Sequence, residues 1–111
     1  MFRIDSTNKI TTVQGDTGVI EFKLTNDTLS EGDIVYFTVK KSYNSPASIV
    51  KKVTTFGQDV ATIELTSNDT WIDVGVYLYD IQVSFKDGRV DTVILPTTFT
   101  VIGGITDADH A

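Results

Sequence analysis

Apolar and polar residues alternate one for one along most of the chain, and this period of two is the strongest constraint on its fold. In "GVIEFKLT", residues 18–25, Ile20, Phe22 and Leu24 share one face while Glu21 and Lys23 share the other. In "IVYFTVKK", residues 34–41, Val35, Phe37 and Val39 face one way and Tyr36, Thr38 and Lys40 the other. Residues 48–55 set Ile49 and Val53 opposite Val50, and in residues 60–65 Ala61, Ile63 and Leu65 face inward. Residues 76–85 align Tyr77, Tyr79, Ile81, Val83 and Phe85. A broken first strand at 2–4 and 9–13 and a last strand at 89–101, bent at Pro96, complete the pattern. Side chains one strand position apart point to opposite faces, so each run has one buried face, and two facing sheets supply the burial.

Turn signals separate the runs about every ten residues, the spacing of an all-β sandwich or barrel. They are Gly15-Asp16, Asn26-Asp27, Glu31-Gly32-Asp33, Asn44-Ser45-Pro46, Gly57-Gln58-Asp59, Asn68-Asp69 and Asp87-Gly88. "KDG", Lys86 to Gly88, predicts a hairpin joining 76–85 to 89–95. "TSNDTW", Thr66 to Trp71, lacks alternation and predicts a single helical turn capped by Thr66, Ser67 or Asn68. Trp71 then serves as a plug at the end of the sandwich. Residues 1–102 form one domain, and "GGITDADHA", residues 103–111, reads as a flexible tail or linker.

The order Asp73, Gly75, Tyr77 matches the D-x-G-x-Y of immunoglobulin-like sandwiches. There the tyrosine hydroxyl bonds to backbone a few residues upstream. A disulfide cysteine usually follows two residues later, but here that position holds Tyr79, and the chain has no cysteine. The expected fold is therefore all-β, an immunoglobulin-like antiparallel β-sandwich of seven to nine strands without a disulfide. Packing around Phe22, Phe37, Ile63, Tyr79 and Ile81 holds it together. At 111 residues the chain buries roughly two-thirds of its unfolded surface, enough for a core without metal or disulfide.

The chemistry of catalysis is missing. The only histidine is His110, near the C-terminus, and there is no cysteine. This leaves no Ser-His-Asp or Cys-His arrangement and no H-E-x-x-H, and no phosphate-cradling glycine motif occurs. The acids cluster at turns, where aspartate bonds local backbone. No catalytic, cofactor-binding or metal-binding residue is assigned, and the chain is not expected to be an enzyme or to carry a cofactor. Asp59, Asn68, Asp69 and Asp73 could reach one end of the sandwich, but without a D-x-D-x-D-G run they read as turn and cap residues, not calcium ligands. Asp80 stands mid-strand on a mixed face with Val76, Leu78 and Gln82. It reads as a solvent-facing carboxylate paired with a cross-strand Lys or Arg, or as part of a face covered by a partner or by the first strand.

Nine basic and fifteen acidic residues leave a net charge of −6, which argues against nucleic acid and anionic membrane as partners. Lys40, Lys41, Lys51 and Lys52 are the only paired basic residues. They read as lysines blunting a solvent-facing or edge strand, not as a binding patch. No apolar run reaches the roughly 18 residues of a spanning helix. "MFRIDSTNKI" lacks a signal-peptide core, so a cytoplasmic chain, or one released without the usual export signal, is expected. The N-D-T sequences at Asn26 and Asn68 accordingly read as turns, not glycan acceptors.

The ordered set "QGDTGVIEFKL", "LSEGDIVYFTVKKS", "IVKKV", "IELTSNDTWIDVGVYLYDIQVSFKDGRVDTVI" and "FTVIGGIT" resembles the N-terminal domain of phage baseplate upper proteins, found in phages and prophages of Gram-positive bacteria. The shared marks are an opening GDT, a central GDxVxFxVKK and a late G-x-Y-x-YDIQ-x-x-x-x-DG, spread over residues 2–106. The resemblance implies structural work: a virion protein of the tail baseplate or tail fibre that anchors a receptor-binding device to the tail. Its implied partners are other tail proteins, with oligomerisation in the full-length protein. Its implied location is the virion, and the host cytoplasm during assembly. The family carries over no catalytic residue. Gly15, Gly32, Gly75 and Gly88 are implied to make turns, and Tyr77 and Tyr79 to build the sandwich. The rival reading is an immunoglobulin-like carbohydrate- or surface-binding module of a larger extracellular protein. Its candidate aromatics, Tyr36, Tyr43 and Trp71, do not fall on one predicted face.

Overall fold

The computed structural model describes residues 1–25, 27–56 and 60–106. The turn signals at Asn26 and at Gly57-Gln58-Asp59, the outer part of the tail and His110 lie outside the described residues. Among the described residues, eight strands and one helical turn follow in order: β1 (Phe2–Ile4), β2 (Ile10–Val13), β3 (Gly18–Lys23), β4 (Ile34–Lys40), β5 (Ala47–Val53), β6 (Val60–Leu65), α1 (Ser67–Thr70), β7 (Gly75–Ser84) and β8 (Val90–Ile102). They form an all-β sandwich. One layer is a six-stranded sheet in the order β1-β2-β8-β7-β4-β5, and the other is the pair β3-β6.

The strands lie where the alternation places them, because burial demands it. Ile10, Val35, Phe37, Val39, Ile49, Tyr77, Tyr79, Ile81, Val83, Phe99 and Val101 of the large sheet are buried, facing Ile20, Ala61, Ile63 and Leu65 of the small one. β3 ends at Lys23, short of the expected Thr25, because its ladder runs out where Lys23 meets Val60, the first residue of β6. The centre of the core is aromatic. Phe37 lies 5.4 Å from Tyr79 and 6.1 Å from Phe99, ring centre to ring centre. Phe99, absent from the expected core set, occupies this hub. Phe22, expected at the centre, packs on the core only partly buried.

Two features depart from a plain antiparallel sandwich. β2 pairs with β8 in parallel, Ile10 beside Phe99 through Val13 beside Ile102. β8 also carries extra residues. From Tyr79 to Ile81 on β7 its partners run from Thr97 to Ile94, and from Ile81 to Gln82 they run from Ile94 to Thr92. Pro96, which has no N–H to give a ladder, sits in the first of these bulges. The expected bend thus arises as a bulge in the ladder.

Two Gly-Asp turns tie distant parts of the fold together. The opening GDT packs on the helical turn: Gly15 N–H donates to Thr70 O at 3.3 Å, and the buried Thr70 hydroxyl donates to Asp16 O at 2.7 Å. α1 itself carries a capping box in which Thr66 and Asp69 bond each other's backbone N–H. The central GD joins the β7–β8 hairpin: buried Asp33 accepts Lys86 N–H at 3.0 Å and Ser30 N–H at 2.9 Å. These donors hold its carboxyl below the ordinary range. Gly32 has φ +96° and an added Cβ would stand 3.0 Å from the Lys86 side chain, so only glycine suits this contact. The hairpin has three loop residues, closed by Phe85 N–H to Arg89 O at 2.8 Å, with Gly88 at φ +99°. Gly15 and Gly75 also have positive φ.

Candidate functional site

The tyrosine corner forms as expected. Tyr77 hydroxyl donates to Asp73 O at 2.7 Å, with Gly75 opening β7 between them. The Lys41 ammonium stands 4.6 Å from the Tyr77 ring centre. Tyr79 does more than fill the space of a disulfide. Its hydroxyl donates to Asn8 O in the β1–β2 loop, tying the first hairpin to the core. Burial, aided by nearby Asp5, pushes its hydroxyl pKa up to about 12. Phe37, Ile63 and Ile81 are buried around these two rings. Trp71 is the half-buried C-cap of α1, and the neighbouring Ile72 packs on the core.

The lysines and acids serve mainly as local ties. β5 is an edge strand, and its Lys51 and Lys52 point to opposite sides. Lys51 pairs with Asp69 at 2.6 Å, and Lys52 lies 5.6 Å from the Tyr36 ring centre. Lys51 and Lys52 therefore do not pool their charge. Asp69 is occupied by Lys51 and by the cap, and Asp59 lies outside the described residues. No group of three or more His, Cys, Asp or Glu that could hold a metal occurs among the described residues. Within the same limits, no helix is long and apolar enough to cross a membrane.

What the tertiary structure assembles is the outer face of the large sheet, away from β3 and β6. Register sets its residues in rows: Lys52, Tyr36, Gln82 and Thr92, then Val50, Thr38 and Asp80, then Lys40, Leu78 and Thr98. A depression of about 340 Å³ opens over these rows, bounded by Tyr36, Tyr43, Leu78 and Pro96. Tyr43 reaches it from the β4–β5 turn, where Ser45 N–H donates to Ser42 O at 3.1 Å and the two serine hydroxyls are 2.7 Å apart. Its side chain stays 71% exposed, which leaves the ring open to a ligand. Two of the three aromatics that sequence could not place on one face thus share a site. Tyr36 was visible in the alternation of β4, but Tyr43 lies in a turn, whose direction alternation does not set.

Asp80 lies in this depression, and its surroundings correct the expectation of a paired carboxylate. Its cross-strand neighbour is Thr38, and among the described residues it has no hydrogen-bond or ion-pair partner. Partial burial raises its carboxyl pKa, offset in part by Lys40 on the next row. The first strand does not cover it, because β1 pairs with β2 at the far edge of the sheet. Gln82 is nearly as free, its amide making one long contact to Thr92 at 3.5 Å. A second hollow, about 380 Å³ between β5 and β6, is lined by Lys51, Thr54, Thr62 and Glu64 and has no aromatic wall.

No protein-family model and no curated protein matches this chain. Among solved structures, it is similar to part of a "putative glycoside hydrolase" from Bacteroides vulgatus, with 16% identity and a TM-score of 0.50. The match covers 85% of this chain and 16% of that one, so the chain spans a small part of its neighbour's length. At this identity the likeness shows the sandwich fold alone.

Proposed function

We propose that this chain is a non-catalytic structural module of a phage or prophage tail. As a baseplate or tail-fibre assembly domain, it anchors a receptor-binding device to the tail. What supports the reading is the ordered set of motifs that resembles baseplate upper proteins, two of which serve as ties in the fold: GDT on α1, and GD on Lys86 of the β7–β8 hairpin. Some residues that carry the resemblance, Asp33 and Tyr77 among them, tie the fold together, while Lys40, Asp80 and Gln82 stand on the outer face and leave it for partners. Those partners are other tail and baseplate proteins, and copies of the full-length chain. Its place is the virion, with passage through the host cytoplasm during assembly. The test is to purify tails from the source strain's induced prophages on a density gradient and identify what co-sediments. A fixed ratio of this protein to other tail proteins supports the reading. Particles that form without it, while it stays soluble or on the cell wall, end it.

A second reading has its own observation. Tyr36 and Tyr43 share one depression with Asp80 and Gln82, which favours a carbohydrate- or surface-binding module of a larger extracellular protein.

A further inference from the structure

We propose that the outer-face depression binds a neutral saccharide of about one or two pyranose rings, a size its volume admits. Tyr36 and Tyr43 stack on the sugar, and Asp80 and Gln82 bond its hydroxyls. The proposal rests on the second reading for its ligand class and assigns the site, the residues and the charge of the ligand.

The lining selects among ligand classes. β4 and β7 both lie inside the sheet with their backbone groups already paired, so an added peptide strand finds no edge here. Recognition must come from side chains. Asp80 and Lys40 carry opposite charges that offset each other within the depression, while Lys52 stands outside its lining, 5.6 Å from the Tyr36 ring centre. A wholly apolar ligand would cover the Asp80 carboxylate without giving it a donor, at a cost in desolvation. Saccharides meet both demands. Their hydroxyls donate to the acceptor-only Asp80 and exchange bonds with Gln82, while their C–H faces lie on tyrosine rings. Asp80 is already partly desolvated in the folded protein, so part of the cost of burying it is met before a ligand arrives. Tyr43, on the turn and mostly exposed, forms one wall.

The test is amide-resolved NMR of the isotope-labelled chain. The probes are glucose, galactose, N-acetylglucosamine, cellobiose, lactose and chitobiose, titrated up to their solubility limits, with glucuronic acid as the charged control. The expected result is saturable shifts at Thr38, Tyr43, Leu78, Asp80 and Gln82 with at least one neutral sugar. Tyr43→Ala, at an exposed turn, and Tyr36→Ala should each weaken that binding about tenfold while spectra keep wild-type dispersion, the loss expected of a central aromatic contact. Asp80→Asn should also weaken it. Absence of shifts with every neutral sugar, or binding of glucuronic acid alone, overturns the proposal. Saturable shifts that map elsewhere and survive both tyrosine changes also overturn it, but leave the carbohydrate-module reading standing. Its failure leaves the assembly reading intact, because co-sedimentation with tails is measured independently.

Discussion

The two faces of the six-stranded sheet are built from the same strands and one alternating pattern, yet they have different work. The inner face carries Val35, Phe37, Val39, Tyr77, Tyr79, Ile81 and Val83, all buried beneath β3 and β6. The outer face carries Tyr36, Thr38, Lys40, Leu78, Asp80 and Gln82, half-buried and without a covering layer. Inside, each polar atom has a partner: Tyr77 bonds Asp73, and Tyr79 bonds Asn8. Outside, Asp80 has no hydrogen-bond or ion-pair partner among the described residues and feels only the charge of Lys40 one row away. Hydrogen-bonding capacity that the fold does not consume is what a binding face needs, and keeping it partly desolvated costs stability.

The sharpest way to break this contrast is to truncate neighbours on opposite faces of β4. Phe37→Ala empties the aromatic hub and should cost about 3–5 kcal/mol. Thr38→Ala, the next residue, should stay within about 0.5 kcal/mol. Urea unfolding of both variants decides it, and comparable losses would mean that the outer face is also core.

The carboxylates come next. Asp33→Ala strands the N–H groups of Ser30 and Lys86 and should cost about 2–3 kcal/mol. Acid should reveal the same tie. Asp33 holds its proton less readily in the folded chain than in the unfolded one. Its stabilisation is complete above the ordinary carboxylate range, about pH 4, and is lost as pH falls through its lowered value. Thermal midpoints measured from neutral to acid pH should therefore fall, and Asp33→Asn should flatten that fall. If its slope matches wild type, Asp33 is not the titrating tie.

The tyrosines give a smaller effect. Tyr77→Phe should cost about 1–3 kcal/mol through loss of its bond to Asp73. Tyr36→Phe, on the outer face, should cost nearly nothing. Equal losses would erase the distinction between structural and available hydroxyls.

The smallest effect has the opposite sign. Asp80 is raised in the fold, so its ionised form destabilises the protein above that raised value and the penalty fades as pH falls through it. Asp80→Asn should raise stability near neutral pH by up to about 0.5 kcal/mol, the scale of a surface change. A loss of stability instead would show that the carboxylate has a structural partner.

The sequence by itself determined the strands, the corner and the hairpin, because each depends on residues close in the chain. Alternation set which side chains of β3, β4, β6 and β7 turn inward, D-x-G-x-Y placed the Tyr77 bond a few residues back, and Asp-Gly marked the β7–β8 turn. Tertiary structure decided whatever depends on one strand's place beside another. The parallel β2–β8 ladder, the Asp33–Lys86 tie and Phe99 at the hub join residues far apart in sequence, and local patterns hold no register between them. The same holds for the site. Alternation put Asp80 on a mixed face, but only the pairing of β4 with β7 set it opposite Thr38, one row from Tyr36 and Lys40, and only the turn at Ser42–Ser45 brought Tyr43 over them.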